Sequence, residues 1–307
     1  LPAAKKQKGN DLLWSNLLMV SQYTNQIDRD AKFKLHRVWG EHIESITEPM
    51  SLPDPAQEDP NKVLRIGLVS ADLREHPVGY FLQAMVENLP DDICFYGYHN
   101  TPHRDDLTDY FKNNFAGWHE ISDVPDSEVA EKVQEDKIDI LFDLAGHTSG
   151  NRLPLFALKP APIQMTGLGY VDTSGLTRMD YIVSDAFQSP ENEDNFYTEK
   201  VWRRKGDYIV YAPPKKSPTL APLPALTNGY VTFGSCNKPA KLSDETILLW
   251  SKTLLAVPNS KLLLRNVGLD QPSIQNRINE KFEAQGVEKG RIEFLGGASH
   301  EQLLATY

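Results

Sequence analysis

A histidine stands where the first predicted strand of the chain gives way to a helix. Residues 63–70 form a run rich in β-formers, and a helical pattern with proline in its first turn follows His76. In doubly wound sheets, ligands collect at the carboxyl ends of the strands. A neutral imidazole there could accept a proton from a substrate hydroxyl, because a helix N-terminus disfavours the imidazolium. The alternative is a loop histidine that only satisfies backbone groups.

Glycine, hydroxyl and amide groups follow the strand predicted over residues 138–143. Gly146, His147 and Thr148 lie in a strand-to-helix turn of the kind that binds anions. Backbone N–H groups and the helix dipole favour a phosphate or a carboxylate at such a turn. An equally acceptable interpretation assigns the glycine to the turn and the hydroxyl to the helix cap.

A third candidate loop lies between a strand predicted over 229–234 and a helix over 244–256. It contains Asn237, Lys238 and Lys241. An ammonium group at Lys241 could offset the charge that develops on a leaving diphosphate, and a second lysine strengthens the case for an anion. Taken alone, each lysine also fits a solvated loop.

Two further patterns have both a functional and a structural interpretation. The stretch 167–175 is rich in glycine but lacks the Gly-x-Gly-x-x-Gly spacing, so it indicates close backbone approach either to a ligand or to a neighbouring lobe. Residues 28–30 are Asp-Arg-Asp, which could hold a metal bound to a pyrophosphate. Capping statistics favour a helix cap at Asp28 instead.

The elements that position these loops divide the chain into a helical start and two stretches of alternating strands and helices. Its 307 residues suggest two domains. We predict a helical junction over 1–50, a linker over 51–62, a first lobe over 63–212, a proline-rich hinge over 213–228 and a partial second lobe over 229–307. The alternation predicts parallel sheets. A turn-rich stretch is expected through Lys205, and the second sheet is expected to have three strands.

Charge and composition exclude several classes of protein. The chain has 32 basic and 42 acidic residues, a net charge of -10, which argues against a general nucleic-acid binder. No apolar run approaches the roughly 18 to 20 residues that a membrane span needs. Cys94 and Cys236 are far apart and outside any paired metal spacing, a usage typical of a reducing compartment. We therefore expect a cytoplasmic protein with neither nucleic acid nor membrane as partner.

Several sequence blocks occur in a fixed order along most of the chain. They include Arg-Ile-Gly-Leu-Val-Ser-Ala-Asp-Leu-Arg-Glu-His-Pro-Val at 65–78, Asp-Ile-Leu-Phe-Asp-Leu-Ala-Gly-His-Thr at 139–148 and Lys-Pro-Ala-Pro-Ile-Gln at 159–164. Further blocks lie at 151–153, 168–170, 173–175, 179–181, 231–234 and 257–260, with Asn237, Lys241 and Trp250 among them. In this set the chain resembles the O-GlcNAc transferase and SPINDLY family of protein glycosyltransferases.

The resemblance implies an α/β fold of GT-B type. Two Rossmann-like lobes with parallel sheets would face one another across a cleft, the second lobe being truncated in this chain. The short α-helical junction before them resembles the end of a tetratricopeptide-repeat region. The family transfers a sugar with inversion to a Ser or Thr hydroxyl of a protein, and it needs neither a metal ion nor another cofactor.

The resemblance also implies roles for individual residues. His76 matches a histidine that acts as a base or positions the substrate, and Lys241 matches the lysine at the donor diphosphate. Asn237 and Lys238 are expected to bind the donor beside it. The residues expected to line the cleft on the acceptor side are Gly146, His147, Thr148, Gln164 and Tyr170.

UDP-GlcNAc is the donor that these blocks favour, and a protein or peptide is the acceptor. GDP-fucose stays open as the donor of a SPINDLY-type O-fucosyltransferase, because the block at 224–230 is SPINDLY-like. A non-catalytic, repeat-linked protein-binding scaffold is the alternative from another class. An epimerase of GT-B type is less favoured, because such enzymes need no helical-repeat junction. With its second lobe incomplete, the chain alone is expected to bind donor poorly.

Overall fold

The computed structural model of the protein describes residues 11–52, 61–212, 214 and 217–307. These residues divide into two units after Ala212. The linker predicted over 51–62 lies mostly outside the described residues, as do positions 1–10 of the predicted helical junction.

Two helices open the described part of the first unit, α1 over Asp11–Ser21 and α2 over Arg29–Ser45. Asp28 is the N-cap of α2, because its carboxylate accepts a hydrogen bond from the Ala31 amide at 2.7 Å. Its neighbour Arg29 forms an ion pair with Asp172. The helix-cap interpretation of the Asp-Arg-Asp run is therefore confirmed.

Within the described residues of the first unit, seven strands form one parallel sheet. They are β1 (Leu64–Ser70), β2 (Ile93–His99), β3 (Gly117–Glu120), β4 (Ile140–Asp143), β5 (Ile163–Thr166), β6 (Tyr181–Asp185) and β7 (Lys200–Arg204). Their spatial order is β3-β2-β1-β4-β5-β6-β7. The winding reverses between β1 and β4, and such a switch point opens a crevice at the carboxyl ends of the strands. The loops after β1 and β4 are therefore where a ligand is expected.

The described helices between these strands are α3 (Pro77–Val86), α4 (Asp106–Asn114), α5 (Asp126–Glu135) and α6 (Leu153–Ala157). Local sequence sets where they begin. Pro77 fills the first turn of α3 behind the N-cap His76. At α4, Asp105 and Thr108 form a capping box in which each side chain bonds the backbone N–H of the other.

Two strands of the sheet, β3 and β7, lie where the sequence predicts none. β7 occupies the end of the predicted turn-rich stretch, which is a correction. Its residues alternate between exposed and partly buried, and three of its five side chains are charged. Charged side chains are typical of edge strands, where they discourage pairing with other chains, and they hide the apolar alternation that marks a strand.

The helical pair α1–α2 packs on one face of the sheet as part of the same core. Trp14 and Leu18 of α1, with Trp39 and Ile43 of α2, are all 5% exposed or less. The sheet and helix residues that share their cluster include Val69, Tyr98, Leu141 and Phe156. A second cluster contains Leu68, the strand neighbour of Val69, and therefore covers the opposite face.

Gly40 permits the closest approach between α2 and the rest of the unit. A Cβ added to Gly40 would lie 1.8 Å from the Gly175 carbonyl oxygen. Gly175 itself has a φ of +84°, in the left-handed region that favours glycine. These two glycines let the helix backbone lie directly against the loop that follows β5.

The second unit is a smaller α/β unit with its own core. Its described strands β8 (Thr232–Ser235), β9 (Lys261–Arg265) and β10 (Ile292–Leu295) form a parallel sheet in the order β10-β9-β8. Its described helices are α7 (Pro224–Asn228), α8 (Asp244–Ala256), α9 (Pro272–Glu283) and α10 (His300–Leu304). Ile247, Leu254, Leu262 and Phe282 belong to its buried cluster. The predicted three strands are found, and α7 lies within the predicted hinge.

The longest described helix, α2, has 17 residues and a polar outer face. In the part of the chain that the structure describes, no helix is long and apolar enough to cross a bilayer.

Replacing Gly40 by alanine is expected to destabilise the first unit by about 1–3 kcal/mol, because the new methyl group must push α2 away from Gly175. Alanine is the better helix former by about 1 kcal/mol, so propensity alone predicts the opposite sign. Urea denaturation of wild type and G40A measures the difference.

Glu41→Ala is the matched control for this prediction, since Glu41 is an exposed neighbour on α2 whose ion pair with Arg37 lies in solvent. It is expected to change the free energy of unfolding by less than about 0.5 kcal/mol. A G40A variant more stable than wild type would show that the close contact is absent.

Candidate functional site

Two loops meet at the switch point of the first sheet. The β1 loop comprises residues 71–76 and the β4 loop residues 144–152. They touch at Gly150, where an added Cβ would lie 2.7 Å from the Ala71 Cβ. Asn100, which follows β2, donates a hydrogen bond to the Gly150 carbonyl oxygen at 2.9 Å. The loops that contain His76 and Thr148 are therefore in contact.

His76 is the N-cap of α3, at the carboxyl end of β1. Its Nδ1 accepts a hydrogen bond from the Val78 amide at 3.3 Å. Asp72 Oδ2 lies 3.6 Å from the same nitrogen, and the His76 side chain is 35% exposed. The residue thus caps a helix and also presents part of its ring to solvent, so the structural and the chemical interpretations are compatible.

Two backbone amides of the β4 loop are bonded to a carboxylate of the protein itself. Asp143, the last residue of β4, is fully buried. It accepts hydrogen bonds from the amides of Ala145 at 3.1 Å and Gly146 at 2.8 Å, and from the Thr166 hydroxyl at 2.7 Å. The helix behind the loop, α6, has only five residues. Two of the amides that could bind an anion at this turn are therefore already bonded to Asp143.

A second buried carboxylate, Glu199, holds the loop that follows β5. It accepts hydrogen bonds from the Ser174 amide at 2.7 Å, from the Thr173 hydroxyl at 2.6 Å and from the Ser174 hydroxyl. Burial raises the pKa of both carboxyls, that of Asp143 to about 6, and the charge of Glu199 adds to the shift at Asp143. The close backbone approach in this glycine-rich loop is found within the first unit, at Gly175 to α2 and at Gly169 to the Leu144 carbonyl oxygen.

His147 and Tyr170 point into the contact between these loops and the helical pair. His147 Nε2 donates to the Ser174 carbonyl oxygen at 2.8 Å, since a carbonyl can only accept, and its Nδ1 accepts from the Ser15 hydroxyl at 3.4 Å. The Tyr170 hydroxyl donates to His36 Nε2 at 2.8 Å. Burial lowers the pKa of both histidines, which keeps the rings neutral as these hydrogen bonds require.

The structure buries most of the residues that the sequence assigns to an acceptor cleft. Gln164 is fully buried in β5, and its Nε2 donates to two backbone carbonyl oxygens at 2.8 and 2.9 Å. A Cβ added to Gly146 would lie 2.2 Å from the Tyr170 Cβ. Thr148 is partly exposed. Four of the five predicted cleft residues are therefore buried in the first unit, namely Gly146, His147, Gln164 and Tyr170.

The second unit presents a cationic loop between β8 and α8. Asn237, Lys238 and Lys241 are exposed there, and Lys241 Nζ donates to Asn237 Oδ1 at 3.4 Å. Asp244, in the first turn of α8, forms an ion pair with Lys281. The loop therefore offers two ammonium groups to an anionic ligand at the carboxyl end of the first strand of this sheet.

The profile of glycosyl transferase family 41 matches residues 24–210, which cover α2 and the whole seven-stranded sheet. The chain belongs to this family. The predicted resemblance to O-GlcNAc transferases and SPINDLY proteins is thereby confirmed.

Relatives extend the family 41 match into the second unit. The probable UDP-N-acetylglucosamine–peptide N-acetylglucosaminyltransferase SPINDLY of Arabidopsis thaliana is 33% identical over 287 residues, 91% of this chain and 31% of the relative. The corresponding peptide N-acetylglucosaminyltransferase of Caenorhabditis elegans is 38% identical over 142 residues, 45% of this chain and 12% of the relative. The chain thus spans less than a third of the length of these relatives.

A solved structure supports the fold of this family 41 chain. A lysine-to-methionine mutant of the Thermobaculum terrenum O-GlcNAc transferase superposes with a TM-score of 0.92 at 35% identity, covering 99% of this chain and 58% of that one. With the two parallel α/β units described above, this match confirms the predicted α/β fold of GT-B type.

Three carboxylates of this region are not among the predicted site residues: Asp72, Asp143 and Glu199. A signal exists for Asp143, because an aspartate that ends an apolar strand just before a turn is typical of a side chain that bonds the following backbone amides. Glu199 has no comparable signal, since its partners lie 25 and 26 residues earlier and meet it only through the fold.

Titration of Asp143 is expected to make the stability of the first unit depend on pH, and the substitution Asp143→Asn is expected to remove this dependence. The folded pKa of about 6 lies above the ordinary value of 3.8, so the folded state holds an extra proton between these values. The stabilisation by that proton is lost as the pH rises through about 6. The stability of wild type relative to D143N is expected to fall by about 3 kcal/mol across this window, measured by urea denaturation.

Asp185→Asn supplies the comparison. Asp185 ends β6 and bonds the amides of Phe187 and Gln188 in the same way, but the hydrogen bond from Gln188 helps to lower its pKa. The stability of wild type relative to D185N should therefore fall as the pH decreases. The same slope for both variants would contradict the role of burial at Asp143.

Proposed function

We propose that the protein to which this chain belongs is an inverting glycosyltransferase that moves N-acetylglucosamine from UDP-GlcNAc to Ser or Thr hydroxyls of proteins. The observation that carries the proposal is the match of nearly the whole chain to the Thermobaculum O-GlcNAc transferase. The names of the Arabidopsis and Caenorhabditis relatives state the same donor and a peptide acceptor. The accessible histidine at one strand end and the two lysines at another supply the side chains that this reaction needs.

The reaction is a displacement at the anomeric carbon. The acceptor oxygen bonds to that carbon while the bond to the diphosphate oxygen breaks, which inverts the configuration. His76 would accept the hydroxyl proton, and Lys241 with Lys238 and Asn237 would bind the diphosphate and offset its growing charge. Because lysines neutralise the leaving group, the proposed reaction uses neither a metal ion nor another cofactor.

We place this activity in the cytoplasm because the two cysteines of the chain form no disulfide. Cys94 and Cys236 are free thiols, as is usual in a reducing compartment.

A transfer assay on the full-length protein tests the proposal. The protein is incubated with an acceptor peptide and either UDP-GlcNAc or GDP-fucose, and the sugar on the peptide is identified by mass spectrometry. We expect an N-acetylhexosamine on a hydroxyl side chain. Fucose would establish the SPINDLY-type alternative. No transfer from either donor, together with tight peptide binding in calorimetry, would favour the non-catalytic scaffold.

Lys241→Ala is expected to lower kcat by about 10²-fold, because the diphosphate loses an ammonium that acts as its charge develops. His76→Ala is expected to lower kcat by a similar factor of about 10² through loss of the base. Steady-state kinetics of the full-length variants with UDP-GlcNAc and peptide measures both.

Lys252→Ala is the matched control, since Lys252 is an exposed lysine on α8 in the same unit. It should leave kcat unchanged. If Lys241→Ala behaves like this control, Lys241 has no part in the reaction, and an unchanged rate in His76→Ala removes the histidine likewise.

A further inference from the structure

The ring nitrogens of His76 set a condition on its use as a base. In a neutral imidazole, one nitrogen bears the proton and donates, while the other accepts. In the structure Nδ1 accepts from the Val78 amide at 3.3 Å, which leaves the proton on Nε2. A ring in this tautomer cannot take a proton at Nε2. The tautomer must change before His76 can act there.

Asp72 offers the same ring nitrogen, Nδ1, a hydrogen-bond acceptor, whereas the Val78 amide is a donor. Its Oδ2 lies 3.6 Å from His76 Nδ1. The carboxylate is fixed in place, because Oδ1 accepts from Arg74 Nη2 at 3.1 Å and the Asp72 amide donates to the Ser70 hydroxyl oxygen at 2.9 Å. Asp72 is only 8% exposed, and partial removal from water strengthens a hydrogen bond to a carboxylate.

We propose that Asp72 is a positioning residue that selects the reactive tautomer of His76. When the Nδ1 proton is donated to Asp72 Oδ2, the lone pair is on Nε2, where the acceptor proton can bind. In this exchange the hydrogen bond from the Val78 amide to Nδ1 is lost, and a charge-assisted hydrogen bond from Nδ1 to Asp72 forms. A charge-assisted hydrogen bond is roughly twice as strong as a neutral one. The inference rests on the proposed function, in which His76 is the base.

The charge of Asp72 also favours the state that follows proton transfer. A second proton on His76 creates an imidazolium at the N-terminus of α3, where the helix dipole opposes it. The carboxylate beside Nδ1 offsets that cost. Among the described residues, other charged groups on or against the loop include Arg74, which bonds Asp72, the exposed Glu75, and Asp105, which accepts from the Glu75 amide at 2.7 Å.

The proposed step balances as follows. The acceptor O–H bond breaks and its proton moves to His76 Nε2, while the oxygen forms a bond to the anomeric carbon. The electron pair of the broken sugar–diphosphate bond leaves with the nucleoside diphosphate. The Nδ1 proton stays on the ring, hydrogen-bonded to Asp72, which does not take it. The imidazolium later returns one proton to solvent.

The tautomer can be read directly by NMR in the 307-residue chain with ¹⁵N-labelled histidine rings, without any turnover. His76 is assigned among the eight histidines by its loss in His76→Gln. The wild type is expected to show a protonated Nδ1 in a measurable fraction of the neutral rings. Asp72→Asn should shift His76 towards the Nε2-protonated form. Glu75→Gln, which removes an exposed carboxylate from the same loop, should leave the tautomer as in wild type.

A double-mutant cycle in the full-length protein tests whether Asp72 acts through the histidine. D72N is expected to lower kcat on the order of 10-fold or more when His76 is present, with little change in KM. In the His76→Ala background D72N should have no further effect. Equal effects in both backgrounds would indicate a general structural role and overturn the proposal.

The two measurements fail separately. A wild-type His76 ring protonated only at Nε2 overturns the assignment of Asp72, whatever the activity, and it needs no folded Asp72 variant. Absence of transfer in the full-length protein would contradict the proposed function. The NMR comparison would still decide whether Asp72 sets the His76 tautomer.

Discussion

Two buried carboxylates, Asp143 at the carboxyl end of β4 and Glu199 directly before β7, hold the loops around the candidate site. Asp143 bonds two amides of the β4 loop, and Glu199 bonds an amide and two hydroxyls of the loop after β5. A buried carboxylate is costly unless its oxygens accept hydrogen bonds. The loops therefore have little freedom to move away without exposing an unpaired charge. This constraint holds the backbone that contains the partly exposed Thr148 in a fixed position beside the β1 loop.

The helical pair depends on the same loops. Ser15 bonds His147, His36 bonds Tyr170, and Gly40 lies against Gly175, so α1 and α2 reach both loops that the carboxylates hold. The profile of family 41 begins before α2 and includes it with the sheet. A displacement of the helices would thus be transmitted to the loop that contains Thr148. The helices belong to the site's support as well as to its core.

Sequence patterns predicted what depends on neighbours along the chain. The strand before His76, the proline after it and the cap at Asp28 are local signals, and the structure has each of them. Burial of polar side chains depends on distant partners: His36 and Tyr170 are 134 residues apart, so nothing near either residue shows that they bond each other. For that reason the sequence gives no sign that Gln164, His147 and Tyr170, which it assigns to the cleft, are buried in the first unit. The edge strand β7 was not predicted because three of its five side chains are charged, so it lacks the apolar alternation that marks a strand.

Amide hydrogen exchange in the native state tests the buried-carboxylate account most directly. The account predicts that the amides of Ala145, Gly146 and Ser174, although they lie in loops, exchange as slowly as amides in the central strand β1, and that Asp143→Asn speeds exchange at Ala145 and Gly146. Exchange at these three amides as fast as in an exposed loop would show that the carboxylates do not hold them, and would contradict the account.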